Sequence, residues 1–242
     1  MSGRHVIVAG GSRGIGAACA TRFRAEGAVV TVLSRKPGAD GIAVDLTDAA
    51  AAAEAVRVAQ DRHGPVDVLV CTAGAARQAP LAELDVAALR AGMEAKYFSY
   101  VNVIMPVIAA MVAGRGGVVV TVIGVGGQVA TPTHLPGGAA NAALTLLTTG
   151  LGHSYADKGV RVVGVSPGPV ATERFEMIVA AKAANEGITP AEARAALSKG
   201  FPAGEVTTPE QVAAVVAFLA SPAAAAVNGT VLRVDGASNP VV

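Results

Sequence analysis

Val6-Ile7-Val8-Ala9-Gly10-Gly11-Ser12-Arg13-Gly14-Ile15-Gly16 reads as a strand, a turn and the start of a helix. Residues 6–8 are β-branched and form a short apolar run of the kind buried in a sheet. The glycines then break the run. After them Ile15, Ala18, Cys19 and Phe23 recur at helical spacing, with Arg22, Arg24 and Glu26 mostly off that face. A helix start offers unpaired N–H groups and a partial positive charge, which attract phosphate. Glycine lets the backbone come close to a pyrophosphate. The spacing here is G-x-x-x-G-x-G, at Gly10, Gly14 and Gly16. Taken alone it also fits a tight strand-to-helix turn with no ligand.

The rest of the chain repeats that alternation. Strand-like runs fall at 29–33, 42–44, 66–70, 118–123, 160–165 and 231–234. Helical patterns fall at 48–62, 86–113, 137–157 and 208–220, with Pro106 expected to kink the second and Thr208 to cap the last. Such βα alternation predicts an α/β fold: a doubly wound parallel sheet, Rossmann-like, with helices on both faces. The 242 residues suit one domain over 1–242. Only 3% are aromatic, so Val, Ala, Leu and Ile build the core. Two segments break the rhythm, a Gly/Thr/Pro-rich loop at 124–136 and a charged helical stretch at 173–205. Both follow strands, so both are expected to border a ligand site, the second as a lid over substrate.

Composition excludes several classes. A net charge of +1 without a basic stripe argues against a nucleic-acid partner. The N-terminus carries no long apolar segment, so neither a signal peptide nor a membrane partner is expected. Cys19 and Cys71 lie in apolar elements and read as buried free thiols, which suits a cytoplasmic location.

Further motifs resemble the short-chain dehydrogenases/reductases, and the resemblance covers nearly the whole chain. Gly10 to Gly16, including Ser12, Arg13 and Ile15, is similar to that family's T-G-x-x-x-G-x-G, with Ala9 in the Thr position. Asp45-Leu46-Thr47 resembles its adenine-contacting D-[VL]-[TS], and Cys71-Thr72-Ala73-Gly74 its N-N-A-G. Pro167-Gly168-Pro169-Val170-Ala171-Thr172 resembles P-G-x-V-x-T, which in the family borders the nicotinamide. Val234-Asp235-Gly236-Ala237 resembles the C-terminal V-D-G-G. The resemblance implies a homodimer or homotetramer, with the helices at 86–113 and 137–157 pairing between subunits. Ala139, Ala140, Ala142, Ala143 and Gly150 would permit that close approach.

The family's proton relay uses Asn, Ser, Tyr and Lys. Counting from nearby landmarks puts Lys96 at the Asn position, Gly124 at Ser, Gly137 at Tyr and Asn141 at Lys. Neither glycine can supply a hydroxyl. Lys and Asn have exchanged helices, and the space opened by the glycines is expected to admit the Lys96 side chain, a bulkier substrate, or both. A lysine desolvated in a cleft acts as an acid or base near neutral pH; the alternative is a solvated lysine or one paired with Glu94. Tyr97 and His134 are further proton-donor candidates, and packing or simple exposure are their alternatives. Asn141 is expected to hydrogen-bond a ribose hydroxyl of the cofactor.

The second strand ends in Ser34-Arg35-Lys36 without an acid, and Arg13 flanks the glycine loop. An acid would accept ribose hydroxyls of NAD(H), whereas arginine pairs with a 2′-phosphate, so NADP(H) is expected. The expected function is oxidoreduction of a small carbonyl or alcohol substrate of hydrophobic character. A non-redox isomerase or lyase, or a cofactor-binding protein without turnover, stays open beside it.

Overall fold

The glycine-bounded apolar run forms strand β1 (His5–Ala9), buried along its whole length. The structure is a computed structural model, and it describes residues 1–39, 41–74, 80–199, 201–202 and 204–239. The other strands are β2 (Val29–Ser34), β3 (Ile42–Ala43), β4 (Val68–Cys71), β5 (Gly117–Val122), β6 (Val160–Pro167) and β7 (Val231–Val234). They make one sheet in the order β3-β2-β1-β4-β5-β6-β7. Every pairing is parallel.

Alternate side chains of each strand enter opposite cores, as the period of a strand requires. Val6 and Val8 pack with Cys19, Ala20 and Phe23 of α1 (Gly14–Ala25) and with Val212, Val216 and Leu219 of α8 (Pro209–Ala220). Ile7 and Ala9 point the other way. They join Ala52 and Val56 of α2 (Ala49–His63), Val103, Ile104 and Val107 of α4 (Ser99–Ala113), and Leu144 of α5 (Leu135–Ser154). Thr208 caps α8 through a capping box with Gln211.

The 86–113 stretch is not one regular helix. It divides into α3 (Val86–Gly92), a wide π-type turn at Met93–Phe98, and α4. Helix α4 runs through Pro106, so the departure from α geometry lies earlier than proline alone predicts. The Val86–Ala113 stretch is long and apolar enough to cross a membrane by length and composition. Its Tyr100, Val103, Ile104, Val107, Ile108 and Met111 are buried against the sheet, as in a core helix.

The charged segment after β6 forms α6 (Glu173–Glu186) and α7 (Pro190–Ser198). Phe175, Val179 and Ala183 close with Ala193 into a small core of their own. Gly200 and Ala203 of the 173–205 segment lie outside the described residues.

Candidate active site

Strand order reverses between β1 and β4, and the crevice beyond the carboxyl ends of such strands is where open α/β sheets bind ligands. Three loops meet there. Gly10 has φ 88°, and a Cβ on it would lie 2.5 Å from the Ala73 nitrogen. A Cβ on Gly16 would run into the Gly10 carbonyl and the Thr72 hydroxyl. Thr72 itself donates to the Ala9 carbonyl at 2.9 Å, tying the β4 loop to β1. Gly14 has φ 54° and faces the Thr172 methyl, which would be 3.4 Å from an added Cβ. Arg13 caps α1 without a side-chain hydrogen bond, so the first N–H groups of that helix keep no side-chain acceptor. Ser12 and Arg13 are exposed and Ile15 is partly buried.

Ser34, at the end of β2, is buried and its hydroxyl has no partner, while Arg35 beside it is exposed. Asp45 accepts from the Thr47 N–H at 3.0 Å and the Thr47 hydroxyl at 2.8 Å. Those bonds, and then the Arg35 charge, hold its carboxyl below the usual range. Asn102 of α4 donates to the carbonyls of buried Leu46 at 3.0 Å and Thr47 at 3.2 Å, fixing this loop. Gly74 has φ 80° and abuts the Ala95 carbonyl. Pro167 closes β6, and a Cβ on Gly168 would lie 2.9 Å from that of Asp235. Val170 bridges Thr207 beyond the sheet. Sequence-remote motifs therefore line one edge.

At the other end of the cleft the geometry differs from the expected one. The space beside Gly137 is filled by His134, not Lys96: a Cβ at 137 would lie 2.5 Å from His134 Nε2. The space beside Gly124, whose φ is 114°, holds Asn141, whose Nδ2 would be 3.3 Å from an added Cβ. Gly126 lies between them, 3.1 Å from His134 Cδ2 and 3.5 Å from Asn141 Nδ2 by the same construction. His134 Nδ1 and Asn141 Oδ1 are buried without partners. Burial, then Arg174 and Lys96, lower the His134 pKa.

Lys96 sits in the π-type turn, a distortion frequent at functional sites. Its Nζ donates to the Tyr100 hydroxyl at 2.9 Å and the Val122 carbonyl at 3.1 Å, and lies 4.5 Å from the centre of the Tyr100 ring. Tyr100 is fully buried and itself donates to Val122 at 2.5 Å. The partners of Lys96 are therefore Tyr100 and Val122 and not Glu94. Burial brings its pKa down to about 7, Cys71 opposing and Arg174 adding to the shift. Burial drives the Tyr100 phenol well above its ordinary value. Tyr97 packs edge-to-face on Phe98, ring centres 5.2 Å apart, and against the core. Both cysteines are free and buried, and burial pushes the Cys19 thiol up to about 12.

One site residue escaped the sequence reading. Tyr100 stands four positions after Lys96, a spacing that brings side chains together on a helix and was available as a signal.

Residues 9–238 match a family model described as enoyl-(acyl carrier protein) reductase. The chain is 34% identical to cis-4-hydroxycyclohexanecarboxylate dehydrogenase of Sinomonas cyclohexanicum, over 96% of this chain and 95% of that protein. It is 30% identical to a 3-oxoacyl-[acyl-carrier-protein] reductase of Vibrio cholerae, over 98% of this chain and 97% of that protein. Among solved structures, a variant of actinorhodin polyketide ketoreductase with NADPH superposes with a TM-score of 0.91 at 27% identity, over 98% of each chain. The ligand-free aldohexose dehydrogenase of Thermoplasma acidophilum gives 0.89 at 27% identity, over 99% of this chain and 96% of that one. With the sheet order, the glycine cradle and these matches in agreement, the chain belongs to the short-chain dehydrogenase/reductase family of carbonyl and alcohol oxidoreductases.

Proposed function

We propose that this protein is an NADP(H)-dependent oxidoreductase whose proton-handling groups differ from the Ser, Tyr and Lys usual in its family. One observation carries the reading. The buried side-chain polar atoms without partners, among the described residues, are Ser34 Oγ, His134 Nδ1 and Asn141 Oδ1. All three lie beyond the carboxyl edge of the sheet, at the two ends of the expected cofactor cleft. An orphaned polar atom costs about 1–3 kcal/mol, so its position points to a missing partner.

The residues fit a dinucleotide. Gly10 and Gly16 leave no room for side chains where the backbone must approach the diphosphate, Gly14 holds a positive φ, and the α1 N-terminus is free of side-chain caps. Ser34, Arg35 and Arg13 would take the 2′-phosphoribose, and Asp45, Leu46, Ala73 and Gly74 would flank the adenine side. Asn141, Pro167, Gly168, Val170 and Thr172 would hold the nicotinamide riboside. The cofactor, when bound, supplies hydride. The protein's part is the proton. His134 and Lys96 both have pKa values lowered toward or below neutrality, which suits proton exchange with a substrate oxygen. Tyr100 is the positioning residue for Lys96, and Tyr97 the least favoured donor because its ring is committed to packing. Helices α6 and α7 would form the substrate lid, and a cytoplasmic location suits the two free thiols.

Leu146 is 76% exposed on α5 and Met105 44% exposed on α4. Apolar residues on these two helices support a homodimer or homotetramer built through them.

The test is NADPH oxidation against a panel of ketones and aldehydes, with NADH in parallel. NADPH consumption coupled to alcohol formation is the expected result. Cofactor binding without oxidation by any member would favour the non-redox or binding-only reading.

A further inference from the structure

We propose that the Lys96 amine is a nucleophile that condenses with an aldehyde or ketone to a covalent imine, a step without redox change. The inference goes beyond the oxidoreductase reading and takes from it only the location of the cleft.

The hydrogen bonds around the amine suit its neutral form. Lys96 Nζ donates to the Tyr100 hydroxyl at 2.9 Å and to the Val122 carbonyl at 3.1 Å. Tyr100 gives its own hydrogen to Val122 at 2.5 Å, so its oxygen is left as an acceptor. Both acceptors are uncharged, because burial keeps the phenol protonated. A neutral amine has two N–H bonds and a lone pair, whereas an ammonium has three donors and a charge to place. Here two donors are matched. Among the described residues no carboxylate pairs with Lys96, although Lys182 has Glu186. A buried charge without a counter-ion is costly. Burial acts in the same direction, bringing the amine to about 7.

The amine also stands where a carbonyl can reach it. Val122 is the last residue of β5, so the bond to its carbonyl sets Nζ at the carboxyl edge of the sheet. The segment that follows has no side chain at Gly124, Gly126 or Gly127. On the other side a Cβ on Gly74 would lie 3.0 Å from Lys96 Cα, so residue 96 adjoins the β4 loop as well. Lys96 keeps part of its surface in solvent. Desolvation in a pocket is one way a lysine becomes a nucleophile toward carbonyls. The other lysines lack that setting: Lys36, Lys158 and Lys199 are exposed, and Lys182 is ion-paired.

The step balances without a co-reactant. The nitrogen lone pair attacks the carbonyl carbon and forms the C–N bond. The π pair of the carbonyl moves to oxygen, which takes up a proton given by the nitrogen. That hydroxyl then leaves with the last nitrogen hydrogen as water, and C=N replaces the C–O bond.

Reductive trapping tests the inference. The full chain is incubated at about pH 7 with hexanal and cyanoborohydride, digested, and mapped by mass spectrometry. Alkylation at Lys96 is expected about tenfold or more faster than at Lys36, Lys158, Lys182 or Lys199, because a lysine of ordinary pKa holds almost no neutral amine there. The preference should vanish when the same labelling is done in concentrated urea. Absence of label at Lys96, a rate no higher than at the exposed lysines, or a preference that survives unfolding would each overturn the proposal. The unmodified protein is used throughout, so no variant need fold. Labelling needs neither NADPH nor turnover. A protein labelled at Lys96 that oxidises no NADPH would defeat the oxidoreductase reading alone, and an active reductase left unlabelled there would defeat this inference alone.

Discussion

The imidazole of His134 occupies the space that any side chain at position 137 would enter. Restoring a tyrosine there is therefore not a simple gain of a hydroxyl. Gly137→Tyr should destabilise the fold by about 1–3 kcal/mol, the range for overpacking. Gly137→Tyr combined with His134→Gly should recover most of that loss. Urea unfolding midpoints of the two variants check it, and equal midpoints would sink the steric account.

Lys96 links stability to pH. Its pKa is about 7 in the fold against an ordinary value of 10.5. Between those values the unfolded chain binds more protons than the folded one, so stability rises with pH. Below about 7 both states carry the charge and its burial cost is felt in full. Lys96→Met should flatten the rise between pH 7 and pH 10, measured by denaturant unfolding at several pH values. The same substitution should cut turnover about 10²-fold or more if the amine handles the proton, with little change in cofactor affinity. Unaltered turnover would pass the role to His134, tested by His134→Asn.

The proposed preference for NADP(H) rests on Arg35. Arg35→Ala should weaken NADP(H) binding by roughly tenfold to a hundredfold, the worth of a charge-assisted hydrogen bond, while NAD(H) binding barely moves. Asn141→Ala should weaken both cofactors by about 1 kcal/mol, as loss of one neutral hydrogen bond. Titration calorimetry distinguishes the two patterns; parallel loss of NADP(H) and NAD(H) in Arg35→Ala would contradict the assignment.

Leu146 is exposed at the middle of α5. If this face joins subunits, Leu146→Arg should shift the mass seen by light scattering toward the monomer, because an unpaired charge is costly in an interface core. A monomeric unmodified protein at micromolar concentration would remove the oligomer altogether.

What the sequence by itself determined is local or periodic. The apolar run at 6–8 told of a buried strand, and the repeated βα order told of a sheet covered on both sides. Glycines at 10, 14 and 16 mark a strand-to-helix turn by their spacing, whereas the residues that crowd them, Thr72, Ala73 and Thr172, are brought there by the fold. Thr208 announces a helix start because a cap and the turn it closes are neighbours in the chain. The glycines at 124 and 137 were legible as missing hydroxyls, but not what would replace them. Only the tertiary structure decided that His134 and Asn141 fill those spaces, because loop 124–136 folds back on α5 and brings distant residues to within van der Waals contact. Only packing turned the Lys96 amine inward onto Tyr100 and Val122, since the sheet edge that accepts it lies 26 positions away in the chain.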